Sequence, residues 1–199
     1  MYRGKHKRAD YFEVNLVYLI GLLALLMIVA PIVAILPSSE QKAQMVKRKL
    51  AMADNLRVEL THIDDPDPNP EKYLSNTGMP LERRLAVKAY RLALRRPAEW
   101  REKPLNHWSF VRRLSHSSLS RTDPVNGFLI PGWESEDVPE EGFSEEWRSF
   151  FEVRIPRLAD DIVRIEEINF IVSIYWQEQG DVKELLEFLS AYRNFRTEN

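Results

Sequence analysis

Residues 168–176, INFIVSIYW, decide the fold of this chain of 199 residues. The stretch is apolar and rich in β-branched and aromatic residues, which is the composition of a strand buried within a sheet. Residues 180–195, GDVKELLEFLSAYRNF, follow closely and have the apolar spacing of an amphipathic helix that Asp181 caps. Four residues of this helix are predicted to face the core: Val182, Leu185, Leu189 and Tyr192. Together the two segments predict a domain of the α+β class.

Two patterns nearer the N-terminus predict a strand and a helix. Residues 55–63, NLRVELTHI, alternate apolar and polar side chains, which predicts a half-buried strand. Residues 80–97, PLERRLAVKAYRLALRRP, have apolar residues on one helical face. Because Pro80 suits a first helical turn and Pro97 ends one, this segment predicts a helix.

Shorter segments complete the pattern of predicted elements. Residues 107–114, HWSFVRRL, predict a short helix, and residues 149–156, SFFEVRIP, predict a strand. Residues 115–147 carry the turn signals DPVNG and PEEG, which indicate a long irregular and largely acidic connection. For residues 157–168, RLADDIVRIEEI, helix and strand both stay open.

A basic stripe marks the predicted helix at 80–97 as a candidate partner-binding surface. Its members lie at spacings of four, three and four: Arg84, Lys88, Arg91 and Arg95. Charge is segregated here, with eleven Lys/Arg and three Asp/Glu in residues 81–121, against four Lys/Arg and twelve Asp/Glu in residues 134–168. These segments either face each other or are solvated, or the stripe contacts an acidic partner or anionic lipid headgroups. Trp133, beside an acidic loop, is a second partner-binding candidate.

Residues 16–36 form an apolar run without a charged side chain. Its length of about 31 Å matches the hydrocarbon core of a bilayer and exceeds the apolar region of a cleaved signal peptide. The sequence therefore predicts an uncleaved transmembrane helix at 16–37, preceded by a short basic tail at 1–15. A juxtamembrane helix at 38–55, with Ser38 and Gln41 as a capping box, would lead into a single α+β domain at 56–199.

The basic residues on the two sides of the apolar run predict the topology. Four lie before it and four after it: Arg3, Lys5, Lys7 and Arg8, then Lys42, Lys47, Arg48 and Lys49. The first group is denser and lies in the short tail at 1–15, which favours a cytoplasmic N-terminus. We therefore expect a single-pass signal-anchor protein of a bacterial inner membrane with a periplasmic C-terminal domain; the opposite topology would leave the domain in the cytoplasm.

The sequence predicts no catalytic, cofactor or metal site. It contains no cysteine, and its four histidines have no metal-ligand spacing. The acidic loop DDPDPNPE at 64–71 has alternate oxygen ligands but lacks the turn glycine of a calcium loop, so a stiff acidic turn is the simpler reading. A net charge of −2 argues against a nucleic-acid binder. A hydrolase that uses serine or histidine residues of 106–122 is the enzymatic alternative.

Residues 14–31, VNLVYLIGLLALLMIVAP, have an asparagine at the entry to the apolar run and Ala-Pro at its exit. This segment is similar to the membrane helix of the ExbD/TolR group of small ion-motor subunits. The group carries an aspartate early in this helix to take the translocated ion, whereas this chain has Val17, Tyr18 and Leu19 in that region. The resemblance therefore implies an accessory subunit that does not conduct ions and associates with a multi-span partner.

These patterns favour a non-catalytic, membrane-anchored subunit whose α+β domain binds other membrane or envelope proteins. The prediction rests on the apolar run and on the lack of a catalytic motif. A homo-oligomer is compatible with it, and an accessory subunit of an ion-driven motor is the alternative.

Overall fold

The computed structural model describes residues 6–66, 69–98, 100–101, 107–112, 130–139 and 141–198. The chain divides into two compact units, Met1–Ala43 and Gln44–Asn199. Its described elements form an α+β fold with an antiparallel sheet of six strands. The α+β class predicted for the domain is therefore correct.

The first unit contains helix α1, His6–Ile35, which bears on the membrane prediction. Side chains of this helix are described at 18–31 and at Ile35, and the large apolar ones among them are exposed. Within the described part of the chain, no helix combines the length and the apolar character needed to cross a membrane.

This finding corrects several predictions made from the apolar run. The transmembrane helix at 16–37, the single-pass signal anchor and the bacterial inner-membrane location with a periplasmic domain are contradicted. These predictions rested on the apolar run at 16–36 alone.

Helix α2, Ser39–Ala53, begins with the capping box predicted from the sequence. The backbone N–H of Gln41 donates to Oγ of Ser38 at 3.2 Å, and the backbone N–H of Ser38 donates to Oε1 of Gln41 at 2.9 Å. These two bonds satisfy donors that a helix start leaves without an intrahelical acceptor.

The sheet has the strand order β1-β2-β6-β5-β3-β4. Its members are β1 (Arg57–Asp64), β2 (Arg84–Ala93), β3 (Trp108–Arg112), β4 (Trp133–Asp137), β5 (Ile162–Ile168) and β6 (Ile171–Trp176). All neighbouring strands are antiparallel. Residues 171–176 form β6, which lies between β2 and β5, so the buried strand predicted at 168–176 is confirmed over those residues. Ile168 instead ends β5, and residues 169–170 form the turn between the two strands.

The helix predicted at 80–97 is wrong, because residues 84–93 form β2 instead. Val87 and Ala89 are buried on one side of this strand, and Tyr90 and Leu92 are buried in a different cluster. A strand with both faces buried carries apolar residues at odd and at even positions, and such a run also satisfies helical spacing. Pairing of these residues with β1 and β6 decides in favour of the strand over the helix.

Three other local predictions also differ from the structure. The short helix expected at 107–114 is replaced by β3, and part of the irregular connection expected at 115–147 contains β4. The strand expected at 149–156 is replaced by helix α3, Glu145–Arg154, whose first turn is capped by Oγ of Ser144. The segment left open at 157–168 contains β5.

Three helices cover one face of the sheet, which we call the helix face. They are α2, α3 and α4 (Val182–Glu198), and α4 buries the four residues predicted for its inner face. Their side chains join Tyr90, Ile165 and Ile174 of the sheet in one core cluster. The opposite side, which we call the second face, carries a smaller cluster of Val87, Ala89, Val163 and Tyr175.

Candidate functional site: the β1 edge

Strand β1 forms one edge of the sheet and pairs, among the described strands, only with β2. Its eight residues match eight residues of β2 without a register shift, from Arg57 opposite Arg91 to Asp64 opposite Arg84. None of the eight is fully buried. An edge strand presents backbone N–H and C=O groups on its outer side that can pair with another chain. β1 is therefore a regular and accessible template for strand addition.

Leu60 is the most exposed apolar side chain of this edge. Its register partner is Lys88, and it lies on the helix face, because Lys88 reaches Glu178 at 3.8 Å on that side. Val58, two residues earlier on the same face, packs against the core, whereas 74 % of Leu60 is exposed. The alternation at 55–63 predicts a half-buried strand, and Leu60 is an apolar member of that pattern that the structure leaves exposed. Alternation sets the face of a side chain, but not whether another element covers it.

The other edge of the sheet is shorter and irregular. Strand β4 has five residues, and its pairing with β3 shifts register between Ser109 and Phe110. At its start Trp133 is 8 % exposed, and the guanidinium of Arg112 lies 4.7 Å from the centre of its ring. Bulges and short strands are the usual ways in which an edge avoids pairing with other chains. The two edges are therefore not equivalent.

A charged cleft of about 270 Å³ lies at the end of β1. Its lining residues are Ile63, Asp64, Asp65, Pro66, Val111, Glu136 and Arg164. Arg164 binds Glu136 at 3.2 Å and Glu166 at 2.9 Å, and Asp65 accepts a hydrogen bond from Lys72 at 2.6 Å. That bond raises the pKa of Lys72 despite the opposing effect of burial. In the described residues, no three histidine or acidic side chains are grouped as metal ligands.

Buried Glu178 connects α2 to the sheet rather than forming an open site. Its side chain is 0 % exposed, and its backbone is left-handed, with φ of 67°. Arg48 of α2 donates two hydrogen bonds to the carboxylate, at 2.7 and 2.6 Å, and the hydroxyl of Tyr90 donates a third at 2.7 Å. Burial raises the pKa of Glu178, but the bonds from Arg48 and Tyr90 and the nearby positive charges outweigh it and lower the pKa. The acid is held ionised by its partners.

A second buried acid, Glu167, is also surrounded by donors. It accepts hydrogen bonds from the hydroxyl of Tyr192, from Nε1 of Trp108 at 3.3 Å and from Arg196 at 3.0 Å. Burial, followed by the charge of Glu167, raises the pKa of Tyr192 well above its usual value. This cluster joins β3, β5 and α4, and it fixes α4 against the helix face.

Nδ1 of His107 lies 2.6 Å from Oδ2 of Asp137 near the start of β3. Ser109 lies opposite Asp137 in the strand register, and its side-chain oxygen is buried without a hydrogen-bond partner among the described residues. A nucleophilic serine must be accessible to substrate, and Ser109 is 2 % exposed. The described part of 106–122 therefore gives the hydrolase alternative no accessible hydroxyl at Ser109, and residues 113–122 lie outside the described part.

The five predicted partner-binding residues do not form one surface. Arg84 pairs with Glu82, Lys88 is directed to Glu178, and Arg91 pairs with Glu59. Strand alternation places Arg84 and Lys88 on the helix face and Arg91 on the second face, while Arg95 is exposed beyond the end of β2. Trp133 belongs to the core cluster. The common stripe was an expectation of helical spacing and is wrong, while binding by individual members stays a prediction.

Comparison with known proteins identifies no relative. No family model, no curated protein and no solved structure matches the chain. The similarity to the ExbD/TolR group therefore stays a prediction.

Proposed function

We propose that the unit Gln44–Asn199 is a non-catalytic protein-binding domain that receives an extended strand of another polypeptide along β1. The observation that carries the proposal is the uninterrupted eight-residue edge with an exposed Leu60 at its middle. Backbone groups of β1 would supply the hydrogen bonds, and its alternating side chains would select the partner.

The charges of the edge give it direction and specificity. Arg57 lies at one end and Asp64 at the other, and Glu59 between them is held by Arg57 at 2.7 Å and by Arg91 at 3.3 Å. An antiparallel partner strand with opposite charge at each end would match this order, whereas a strand with like charges would be repelled.

The internal networks support a structural rather than a catalytic use of the buried acids. Glu178 and Glu167 are each bound by three side chains, and Glu166 is bound by Tyr175 and Arg164. Buried carboxylates whose oxygens already accept several hydrogen bonds are poorly placed to take a proton from a substrate, because proton uptake would break those bonds. None of the eight residues of the β1 edge, by contrast, is fully buried.

A lysine at the centre of the edge tests the proposal. Leu60→Lys adds a charge that opposes strand addition, while Met79→Lys changes an apolar residue of similar exposure, 63 % against 74 %, outside any strand. We expect Leu60→Lys to reduce the native mass of the complex that contains the full chain in an extract of the producing cells, and Met79→Lys to leave it unchanged. Equal masses for all three chains, with equal circular dichroism, would overturn the proposal.

A further inference from the structure

We infer that the strand received by β1 is β1 of a second copy, in an antiparallel pair centred on Leu60. This inference rests on the proposed function and names its partner. The two sheets of six described strands would then become one continuous sheet of twelve. The reasons are the side-chain order of β1, its charges and the free space above Leu60.

Pairing by a two-fold axis restricts the possible registers. Side chains directly opposite each other in an antiparallel pair lie on the same face of the sheet. A pair of identical strands therefore keeps helix face beside helix face only if a residue of β1 meets itself at the axis. A shift by one residue would set Leu60 of one copy beside Thr61 of the other and mix the two faces.

The register centred on Leu60 has compatible neighbours on both faces. On the helix face, Leu60 meets Leu60 and Val58 meets His62. On the second face, Glu59 meets Thr61 and Arg57 meets Ile63, so no like charges stand directly opposite.

The neighbouring registers are less favourable. Centring on Glu59 sets the two carboxylates of Glu59 directly opposite, and like charges in that position destabilise a strand pair. Centring on Thr61 sets Leu60 beside His62 and Val58 beside Asp64, which leaves no apolar pair at the middle. Of these three registers, the one centred on Leu60 is preferred.

The exposure of Leu60 shows that the space needed for the second copy is available. Since 74 % of its side chain is exposed, no described element blocks the helix side of the edge at this point. Contact between the two Leu60 side chains would remove apolar surface from water, and new ladder hydrogen bonds would satisfy the outer backbone groups of both copies.

The lack of cysteine in the chain makes a disulfide test of this register possible. In the full chain, Leu60→Cys introduces the only thiol, directly opposite itself in the proposed pair and within disulfide distance. Thr61→Cys would stand diagonally from its copy at about 8 Å, which is too far for a bridge. Met79→Cys, at an exposed position outside any strand, measures the rate of disulfide formation by random collision.

Mild oxidation should convert Leu60→Cys to a covalent dimer at least about tenfold faster than Thr61→Cys or Met79→Cys, because only position 60 has the required geometry. Equal rates for positions 60 and 79 would overturn the inference, and a faster reaction at position 61 would overturn the Leu60 register.

The failure of this inference is distinguishable from failure of the proposed function. If Leu60→Cys does not dimerise but Leu60→Lys still lowers the native mass in the extract, another polypeptide occupies β1. If neither variant has an effect, both the second copy and the protein-binding edge are rejected.

Discussion

Arg48 and Glu178 are 130 positions apart in the sequence and form a two-bonded ion pair, with N–O distances of 2.7 and 2.6 Å. Glu178 is fully buried, and 27 % of the Arg48 side chain is exposed. The pair connects α2 to the turn between β6 and α4 on the helix face. A buried carboxylate with this geometry depends on its partner, because an unpaired charge in the interior is costly.

Removing Arg48 should therefore destabilise the unit Gln44–Asn199. We expect Arg48→Ala to lower the free energy of unfolding by about 3 kcal/mol, since it leaves Glu178 buried with less compensation. Lys49→Ala, at the next and exposed position of α2, is the control and should cost less than about 0.5 kcal/mol. Urea unfolding followed by tryptophan fluorescence measures both; equal midpoints would show that the pair does not stabilise the fold.

Acid should weaken the same pair. The pKa of Glu178 in the folded chain lies below its ordinary value of 4.5, so the unfolded chain takes up a proton first as the pH falls. The stabilising contribution is thus present above pH 4.5 and is lost as the pH falls through the lower, folded value. The unfolding free energy of the native chain should decline more steeply in this range than that of Glu178→Gln. Parallel plots of unfolding free energy against pH for the two proteins would contradict the assignment of this loss to Glu178.

Tyr175 should produce a loss of stability at alkaline pH. Burial, then its hydrogen bond to Glu166, raises the pKa of Tyr175 from 10.0 to about 12. The unfolded chain releases this proton first, so the stability contribution is complete below pH 10 and is lost as the pH rises toward about 12. Tyr175→Phe should reduce the alkaline loss in an unfolding series, with tyrosinate absorbance as the direct readout. A Tyr175 that titrates normally would refute the assignment.

Gly180 should not accept a side chain. A Cβ atom there would lie 2.6 Å from Cβ of Ala159 and 2.8 Å from Oδ1 of Asp161. We expect Gly180→Ala to cost about 1–3 kcal/mol, because the loop before α4 must shift. Gly21→Ala, where no atom lies within 4 Å, is the matched control and should not destabilise the chain. Thermal unfolding compares the two, and similar midpoints would show that the loop accommodates the methyl group.

Local sequence signals predicted several elements because their information lies in adjacent residues. The capping box of Ser38 and Gln41 and the apolar face of α4 both depend on neighbours three or four positions apart. The β-branched and aromatic content of 168–176 likewise predicted the strand that forms over 171–176. The folded chain retains the local features that these sequence signals predict.

Long-range pairing explains the failures. Residues 84–93 fit a helix by spacing, and only β1 and β6 on either side make them a strand. The edge position of β1, and with it the exposure of Leu60, follows from the strand order of the sheet, which no local pattern contains. The predicted basic stripe does not form for the same reason. Alternation along β2 places Lys88 and Arg91 on opposite faces of the sheet.

Amide hydrogen exchange along β1 tests the protein-binding edge most directly. In the full chain isolated with its native complex, the amides of residues 57–64 should exchange at least about tenfold more slowly than in Leu60→Lys prepared in the same way, because partner bonds protect the outer N–H groups. Exchange of β2 should be the same in both. Equally fast exchange of β1 in the two proteins would contradict the account.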